Sequence, residues 1–226
     1  MAMVTLVGFE LLMAQELQFV HGFTPFAAGV FMLPVMIASG FSGPIAGVLV
    51  SKLGLRYVAA GGMALSAISF FGLSLTNFST QPVQAAVLMA LLGFSAASAL
   101  LASTAAIMAA APKEKAAAAG AIETMSYELG AGLGIAVFGL ILSRTFSATI
   151  HLPQQLSAEE AAQASSSIGE AFRLARESDP ALAEGIIAAA KTAFTHSHSV
   201  ALSTASMLLV VLAIGMWFSL ARVEKS

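Results

Sequence analysis

The sequence predicts an all-α integral membrane protein, a six-transmembrane-helix bundle with an extracytoplasmic helical hairpin between helices 5 and 6. Of its 226 residues, 58% are hydrophobic and only 10% are charged, whereas soluble domains carry about 25% charged residues. Six apolar stretches reach the roughly 20 residues that a spanning helix requires. These stretches are too long and too uniformly apolar for the alternating strands of a membrane β-barrel.

Short turns separate most of the predicted spans, and one connection is long. The spans cover about 2–20, 25–50, 57–76, 83–110, 120–142 and 199–221. Pro25 suits the first turn of the second helix, because its missing N–H needs no partner there. In the long connection, Ser157 and Glu160 form a capping-box pattern. Pro180 opens a second helix of the hairpin, which ends near His196.

Three regions follow from this pattern. Residues 1–144 contain spans 1 to 5, residues 145–198 form the loop with the hairpin, and residues 199–226 contain span 6 and a tail. Consecutive spans cross the membrane in alternate directions, so the basic residues of the short loops and the tail all lie on the same side of the membrane. They are Lys52, Arg56, Lys113, Lys115, Arg222 and Lys225. The positive-inside rule therefore predicts cytoplasmic N- and C-termini and an outward-facing hairpin.

Four carboxylates within the spans are the candidate functional residues: Glu10, Glu16, Glu123 and Glu128. An ionisable group at mid-membrane costs at least about 2.5–3.5 kcal/mol, so it faces a bundle interior or an aqueous cavity. Because no Lys or Arg occupies the middle of a span, we expect these groups to bind protons or cations. Glu10 and Glu16 lie about 240° apart around their helix, and Glu123 and Glu128 lie about 140° apart around theirs. Neither pair therefore shares a helix face. For Glu16 and Glu123, snorkelling to the interface or hydrogen bonding to a neighbouring helix is the alternative.

Small residues at four-residue spacing predict close helix packing. Ser126, Gly130 and Gly134 form such a stripe on helix 5, and Gly43 belongs to another on helix 2. Such surfaces let backbones approach closely. Plain packing and a sliding transporter interface are both compatible with them.

Enzymatic, cofactor and nucleic-acid functions are not expected. The net charge of −2 provides no basic field for nucleic acid, and cysteine is absent. The His196-Ser197-His198 pair offers too few ligands for a metal site. No phosphate-binding loop, zinc-protease motif or nucleophile elbow occurs in the sequence. We therefore expect a protein that is not an enzyme.

The turn after helix 2 resembles the signature loop of the major facilitator superfamily. That loop has the pattern G-x-x-x-(D)-(R/K)-x-G-x-(R/K), and Gly47, Lys52, Gly54 and Arg56 match it. Ser51 occupies the position of the usual aspartate. The resemblance implies a cytoplasmic gate formed by this loop, without the acidic member of its charge relay.

Two further stretches resemble the 14-span drug:proton antiporters of that superfamily. Residues 10–29 are similar to their ninth helix and its exit loop, and residues 121–134 are similar to their thirteenth helix. In detail the chain is most similar to the methyl viologen and quaternary ammonium resistance efflux pumps, over their last six spans.

The resemblance implies the C-terminal half of a proton-coupled multidrug antiporter in a bacterial inner membrane. Its partners would be protons, lipophilic cationic drugs, the lipid bilayer, and either the missing N-terminal bundle or a second copy of itself. Glu10 and Glu128 would bind protons or the cationic drug. The alternative is a truncated, non-transporting membrane fragment, or a partner subunit that needs a separate N-terminal half.

Overall fold

The computed structural model describes residues 2–223 and contains eight α-helices. They are α1 (Ala2–Gln15), α2 (Pro25–Leu53), α3 (Leu55–Ser74), α4 (Pro82–Ala110), α5 (Ala116–Thr149), α6 (Ala158–Ala164), α7 (Ile168–Glu177) and α8 (Pro180–Val223). A π-helical turn, Glu16–Val20, continues α1, and a 3₁₀ turn, Lys113–Lys115, precedes α5. Six of the helices are long and apolar enough to cross a membrane. The predicted six-helix membrane bundle is therefore confirmed, and the tail residues 224–226 lie outside the described residues.

Local sequence signals account for several helix ends. The Thr24 hydroxyl accepts a hydrogen bond from the Ala27 amide, and Pro25 occupies the first position of α2. Gly54 has φ +88°, which permits the sharp turn between α2 and α3. Ser157 and Glu160 form the predicted capping box at the start of α6.

The hairpin differs from the prediction at its C-terminal boundary. A helix does begin at Pro180, but it runs through residue 199 as a single helix of 44 residues. No proline follows Pro180, and hydroxyls such as that of Ser197 donate to carbonyls of their own helix. Nothing in this stretch therefore breaks the helix. The α5 helix likewise extends to Thr149, beyond the predicted end of the fifth span near residue 142.

The two ends of the bundle are distinguished by their contacts. At one end, Phe19 packs edge-on against Phe172 of α7, with ring centroids 5.5 Å apart. His21 Nδ1 lies 2.9 Å from the Ser79 hydroxyl at the same end. We call this the hairpin end. The opposite end contains the Gly54 turn and the 3₁₀ turn, and we call it the motif end.

Glycines allow two pairs of helices to approach at backbone distance. A Cβ added at Gly134 of α5 would lie 2.3 Å from the Val4 carbonyl oxygen of α1. A Cβ added at Gly93 of α4 would lie 2.1 Å from the Val35 carbonyl oxygen of α2. Real side chains do not tolerate such distances, so these positions fix how closely the helices pack.

Other members of the small-residue stripes have more space between them and the neighbouring helix. Gly130 is buried, and a Cβ there would lie 3.4 Å from the Met3 side chain. Gly43 is open except for Leu101, at 3.8 Å. Ser126 is exposed, and its hydroxyl donates to the Ile122 carbonyl of its own helix.

We predict that Gly134→Ala destabilises the bundle by about 1–3 kcal/mol, because the added methyl group forces α1 away from α5. Gly132→Ala is the matched control, since nothing lies within 4 Å of a Cβ at that position. It should leave stability unchanged or raise it slightly, as alanine favours a helix over glycine. Thermal unfolding of both variants in detergent checks this. Equal effects at both positions would contradict the close-approach argument.

Candidate functional site

The four candidate carboxylates occupy different environments. Glu16 and Glu123 are buried, with 1% and 7% of their surface exposed. Glu10 is half-buried and Glu128 is exposed. Glu10 and Glu128, which position near the middle of a span favoured, are thus the less enclosed ones. Glu16 and Glu123 belong to separate clusters, so the structure does not bring the four together.

The Glu123 carboxylate is held by hydroxyl groups of two helices. Thr104 of α4 and Tyr127 of α5 both donate hydrogen bonds to its Oε1 atom. The two hydroxyl oxygens are themselves 2.7 Å apart. Glu123 and Tyr127 are four residues apart, so they share a helix face. The cluster can accept or release a proton while its members remain hydrogen-bonded to one another.

Thr104 is a site residue that sequence reasoning missed. It lies near the motif end of the long apolar helix α4, and its hydroxyl also contacts the Leu100 carbonyl at 3.2 Å. A threonine in an apolar helix usually bonds to its own backbone in this way. The adjacent polar pair Ser103-Thr104 was the available signal, but it did not identify a partner 19 residues away.

A cavity of about 720 Å³ adjoins the Glu123 cluster. Its wall includes Tyr127 and Ser103 together with three methionines, Met3, Met63 and Met216. Volumes of about 300–1,000 Å³ are typical of small-molecule sites. Methionine side chains adapt their shape to irregular apolar ligands. Tyr127 therefore connects a buried carboxylate with a cavity of ligand size.

The second cluster surrounds Glu16 near the hairpin end. The Thr195 hydroxyl donates to Glu16 Oε1 at 2.8 Å. His198 Nδ1 lies 3.2 Å from Oε2, and His21 Nε2 lies 3.7 Å from Oε1. Burial lowers the pKa of His21; the Glu16 charge opposes this effect, and Lys191 and His198 add to it. No group of three or more His, Asp or Glu side chains within residues 2–223 has the arrangement of a metal site.

Glu128 lies on a face of α5 that the bundle leaves uncovered. Its neighbours Met125 and Leu129 are also exposed, at 71% and 67%. Thr124, one turn earlier, is exposed as well. An uncovered carboxylate in a membrane-spanning helix requires an aqueous cavity or another protein surface.

The signature-loop residues connect α2, α3 and α8. Gly54 makes the turn, Ser51 bonds to the Val48 carbonyl, and Lys52 is exposed. Arg56 Nε donates to the Trp217 carbonyl at 3.0 Å, and its guanidinium carbon lies 3.9 Å from the centre of the Trp217 ring. A cation–π contact of this kind contributes about 0.5–2 kcal/mol.

Gly47, the first glycine of the signature, has no neighbour within 4 Å of an added Cβ. Its place in the loop therefore does not depend on a close contact inside this bundle. Trp217 was not identified from the sequence, because its contact with Arg56 spans 161 residues.

Curated proteins similar to this chain carry names of drug resistance or efflux proteins. The methyl viologen resistance protein SmvA of Salmonella typhimurium is 73% identical over 224 residues, which are 99% of this chain and 45% of the relative. The multidrug efflux pump LfrA of Mycolicibacterium smegmatis is 29% identical over 94% of this chain and 42% of its own length. The multidrug resistance protein Stp of Mycobacterium tuberculosis is 34% identical over 63% of this chain and 26% of its own length.

The chain thus spans about half the length, or less, of the curated relatives that it matches. The family model of the Major Facilitator Superfamily matches residues 1–151. This match covers most of the chain and includes the signature loop and the Glu123 cluster. The chain is a multi-pass membrane protein and belongs to the major facilitator superfamily.

Proposed function

We propose that the chain forms the C-terminal half of a proton-coupled multidrug efflux antiporter for lipophilic and quaternary ammonium cations. The observation that carries this proposal is the Glu123 cluster beside the methionine-rich cavity. The names of SmvA and LfrA, which refer to methyl viologen resistance and multidrug efflux, support the same class of substrate.

The chemistry of exchange follows from the hydroxyl partners of Glu123. Hydroxyl groups stabilise the carboxylate without neutralising it, so its negative charge remains available to a proton or to an organic cation. Because both ligands use that one charge, binding of one disfavours binding of the other. Tyr127 and the methionines supply the apolar contact that a flat organic cation requires. Glu10, half-buried on α1, is a second proton acceptor in this scheme.

The exposed position of Glu128 supports a partner bundle. Facing lipid, the carboxylate would cost at least about 2.5–3.5 kcal/mol. Facing a second bundle, it would line a cavity between the two halves, where a cation could bind it. The partner is an N-terminal bundle or, in its absence, a second copy of this chain. Members of the family are built from two such halves.

The orientation that we propose places the motif end in the cytoplasm of a bacterial cell. Lys52, Arg56 and Lys115 lie at that end, as the positive-inside rule requires of cytoplasmic loops. Both termini are then cytoplasmic, and α6 and α7 lie outside the inner membrane. The Arg56–Trp217 contact would form part of the cytoplasmic gate.

We predict that Glu123→Gln removes proton-coupled export. The amide oxygen of glutamine still accepts hydrogen bonds from Thr104 and Tyr127, but it carries no charge that a proton or a cation could bind. The measurement is methyl viologen efflux from cells that produce this chain with the N-terminal remainder of the Salmonella relative. Glu114→Gln is the matched control, because it removes an exposed charge outside the spans. Unchanged efflux and proton release in Glu123→Gln would refute the assigned role.

We predict that resistance depends on a second bundle. The chain alone and the chain with the N-terminal remainder of the Salmonella relative are produced in a pump-deficient strain. The cells are then challenged with methyl viologen and with a quaternary ammonium compound. Resistance only on co-production is expected, since Glu128 then faces a closed cavity.

Resistance from the chain alone would instead favour a homodimer. If inserted protein gives no resistance in either case, the chain is a non-transporting membrane protein. Insertion is checked by membrane fractionation in each strain.

We predict that Gln154→Cys reacts with a membrane-impermeant maleimide in intact spheroplasts, whereas Glu114→Cys does not. Both positions are exposed and polar, and the chain contains no cysteine of its own. Both variants should react equally after the membrane is permeabilised. Labelling of Glu114→Cys alone in intact spheroplasts would invert the proposed topology.

A further inference from the structure

The π-helical turn at the end of α1 is joined to α8 by buried polar contacts. Glu16 is 1% exposed and His198 is 2% exposed. His198 Nδ1 lies 3.2 Å from one carboxylate oxygen, and the Thr195 hydroxyl donates to the other. A π-helical turn is rare and is frequently found at functional sites. These contacts connect the first span with the last across 179 or more residues of sequence.

Two cavities lie between this pair and the hairpin end. A cavity of about 30 Å³ borders both Glu16 and His198, which is room for about one water molecule. Thr76 and Phe78 line this small cavity and also a cleft of about 560 Å³. The cleft reaches Ser79, which is exposed at the hairpin end. The buried pair is therefore separated from the exposed hairpin end by this cleft and the small cavity.

We propose that Glu16 and His198 form a proton-binding site of their own, separate from the Glu123 cluster, which holds the hairpin end closed. With one proton between them, the carboxylate and the imidazolium neutralise each other and the two helices remain joined. A second proton neutralises the carboxylate and leaves a buried imidazolium without a counter-charge. Because an unpaired buried charge is strongly unfavourable, the site opens and the imidazolium gains water.

Other titratable groups near the pair act in the same direction. His21 lies 3.7 Å from Glu16, and His196 of α8 lines the cleft. Lys191 of α8 lies close enough to His21 to lower its pKa. All three groups are cationic in acid, so protonation of the histidines adds to the repulsion of the imidazolium at His198. Phe172 of α7 packs on Phe19, and Ser79 of the α3–α4 loop contacts His21; both of these side chains are uncharged.

The test uses cysteine accessibility in the purified chain, which has no native cysteine. Thr76→Cys places a thiol at a position that is 7% exposed beside the pair. Thr80→Cys places one at an exposed position of the same loop. The ratio of their maleimide reaction rates cancels the effect of pH on thiol reactivity. We expect this ratio to rise at least tenfold as the pH falls from about 6 to about 3, the range in which a carboxylate takes up its proton.

Four further variants assign the response. Glu16→Gln and His198→Gln should reduce the pH-dependent change in the ratio to less than twofold, because neither can form the charged pair. His196→Gln and His21→Gln should keep at least a fivefold change, since they leave the pair intact. A tenfold change that persists in Glu16→Gln, or no change in the parent, would overturn the proposal.

A second measurement needs no substitution at the pair. Histidine side-chain NMR of the ¹⁵N-labelled chain follows all four imidazoles. The substitutions His21→Gln, His151→Gln and His196→Gln identify the His198 signal by elimination. That signal should remain the signal of an imidazolium over the pH range in which the cysteine ratio rises, because the second proton binds to Glu16. A His198 signal that changes from neutral imidazole to imidazolium over this range would also overturn the proposal. Neither measurement requires transport, so the result is independent of whether the chain exports drugs.

Discussion

Hydrogen bonding of buried carboxylates is the constraint on which the rest of this structure depends. Inside a membrane, a polar group that lacks a partner is costly, and water is not available to supply one. Glu123 meets this requirement with the hydroxyls of Thr104 and Tyr127. Glu16 meets it at one oxygen with the Thr195 hydroxyl, and the other oxygen lies 3.2 Å from His198 Nδ1. Each cluster joins two helices, so the position of the helices and the state of the carboxylate are linked.

The two clusters differ in chemistry. Glu123 has hydroxyl partners, which do not change their charge at physiological pH. Glu16 has an imidazole neighbour, which as an imidazolium loses its counter-charge when the carboxylate takes up a proton. The first arrangement suits a site that exchanges ligands, whereas the second suits a contact that responds to the pH of one compartment. In this scheme, one bundle binds ligands at the Glu123 cluster and controls its hairpin end at the Glu16 cluster.

Much of the fold could be predicted from the sequence, because it depends on local composition. Six apolar stretches gave six membrane helices, and the signals at Pro25 and Ser157 marked helix starts correctly. The shared face of Glu123 and Tyr127 also follows from their spacing. The continuity of α8 differs from the prediction, because the polar run around His196 predicts a helix end that the structure does not have. In the structure these side chains bond within the bundle: Ser197 donates to a carbonyl of its own helix, and Thr195 donates to Glu16.

The candidate site was less predictable, because its contacts are distant in sequence. Position along a span favoured Glu10 and Glu128, yet burial depends on which helix packs against each face. The pairing of Glu16 with Thr195 and the contact between Arg56 and Trp217 join segments more than 150 residues apart. No periodicity within one helix contains that information. Only the packing of α1 and α3 against α8 reveals it.

The unbroken α8 has a mechanical consequence. At 1.5 Å per residue, its 44 residues form a rod of about 66 Å, roughly twice the thickness of the hydrocarbon core. One end extends alongside α7, and the other contains Trp217. A tilt of only about 5° displaces one end of such a rod relative to the other by about 6 Å, which is more than one helical turn. A small tilt of this helix about one end would therefore produce a large displacement at the opposite membrane surface.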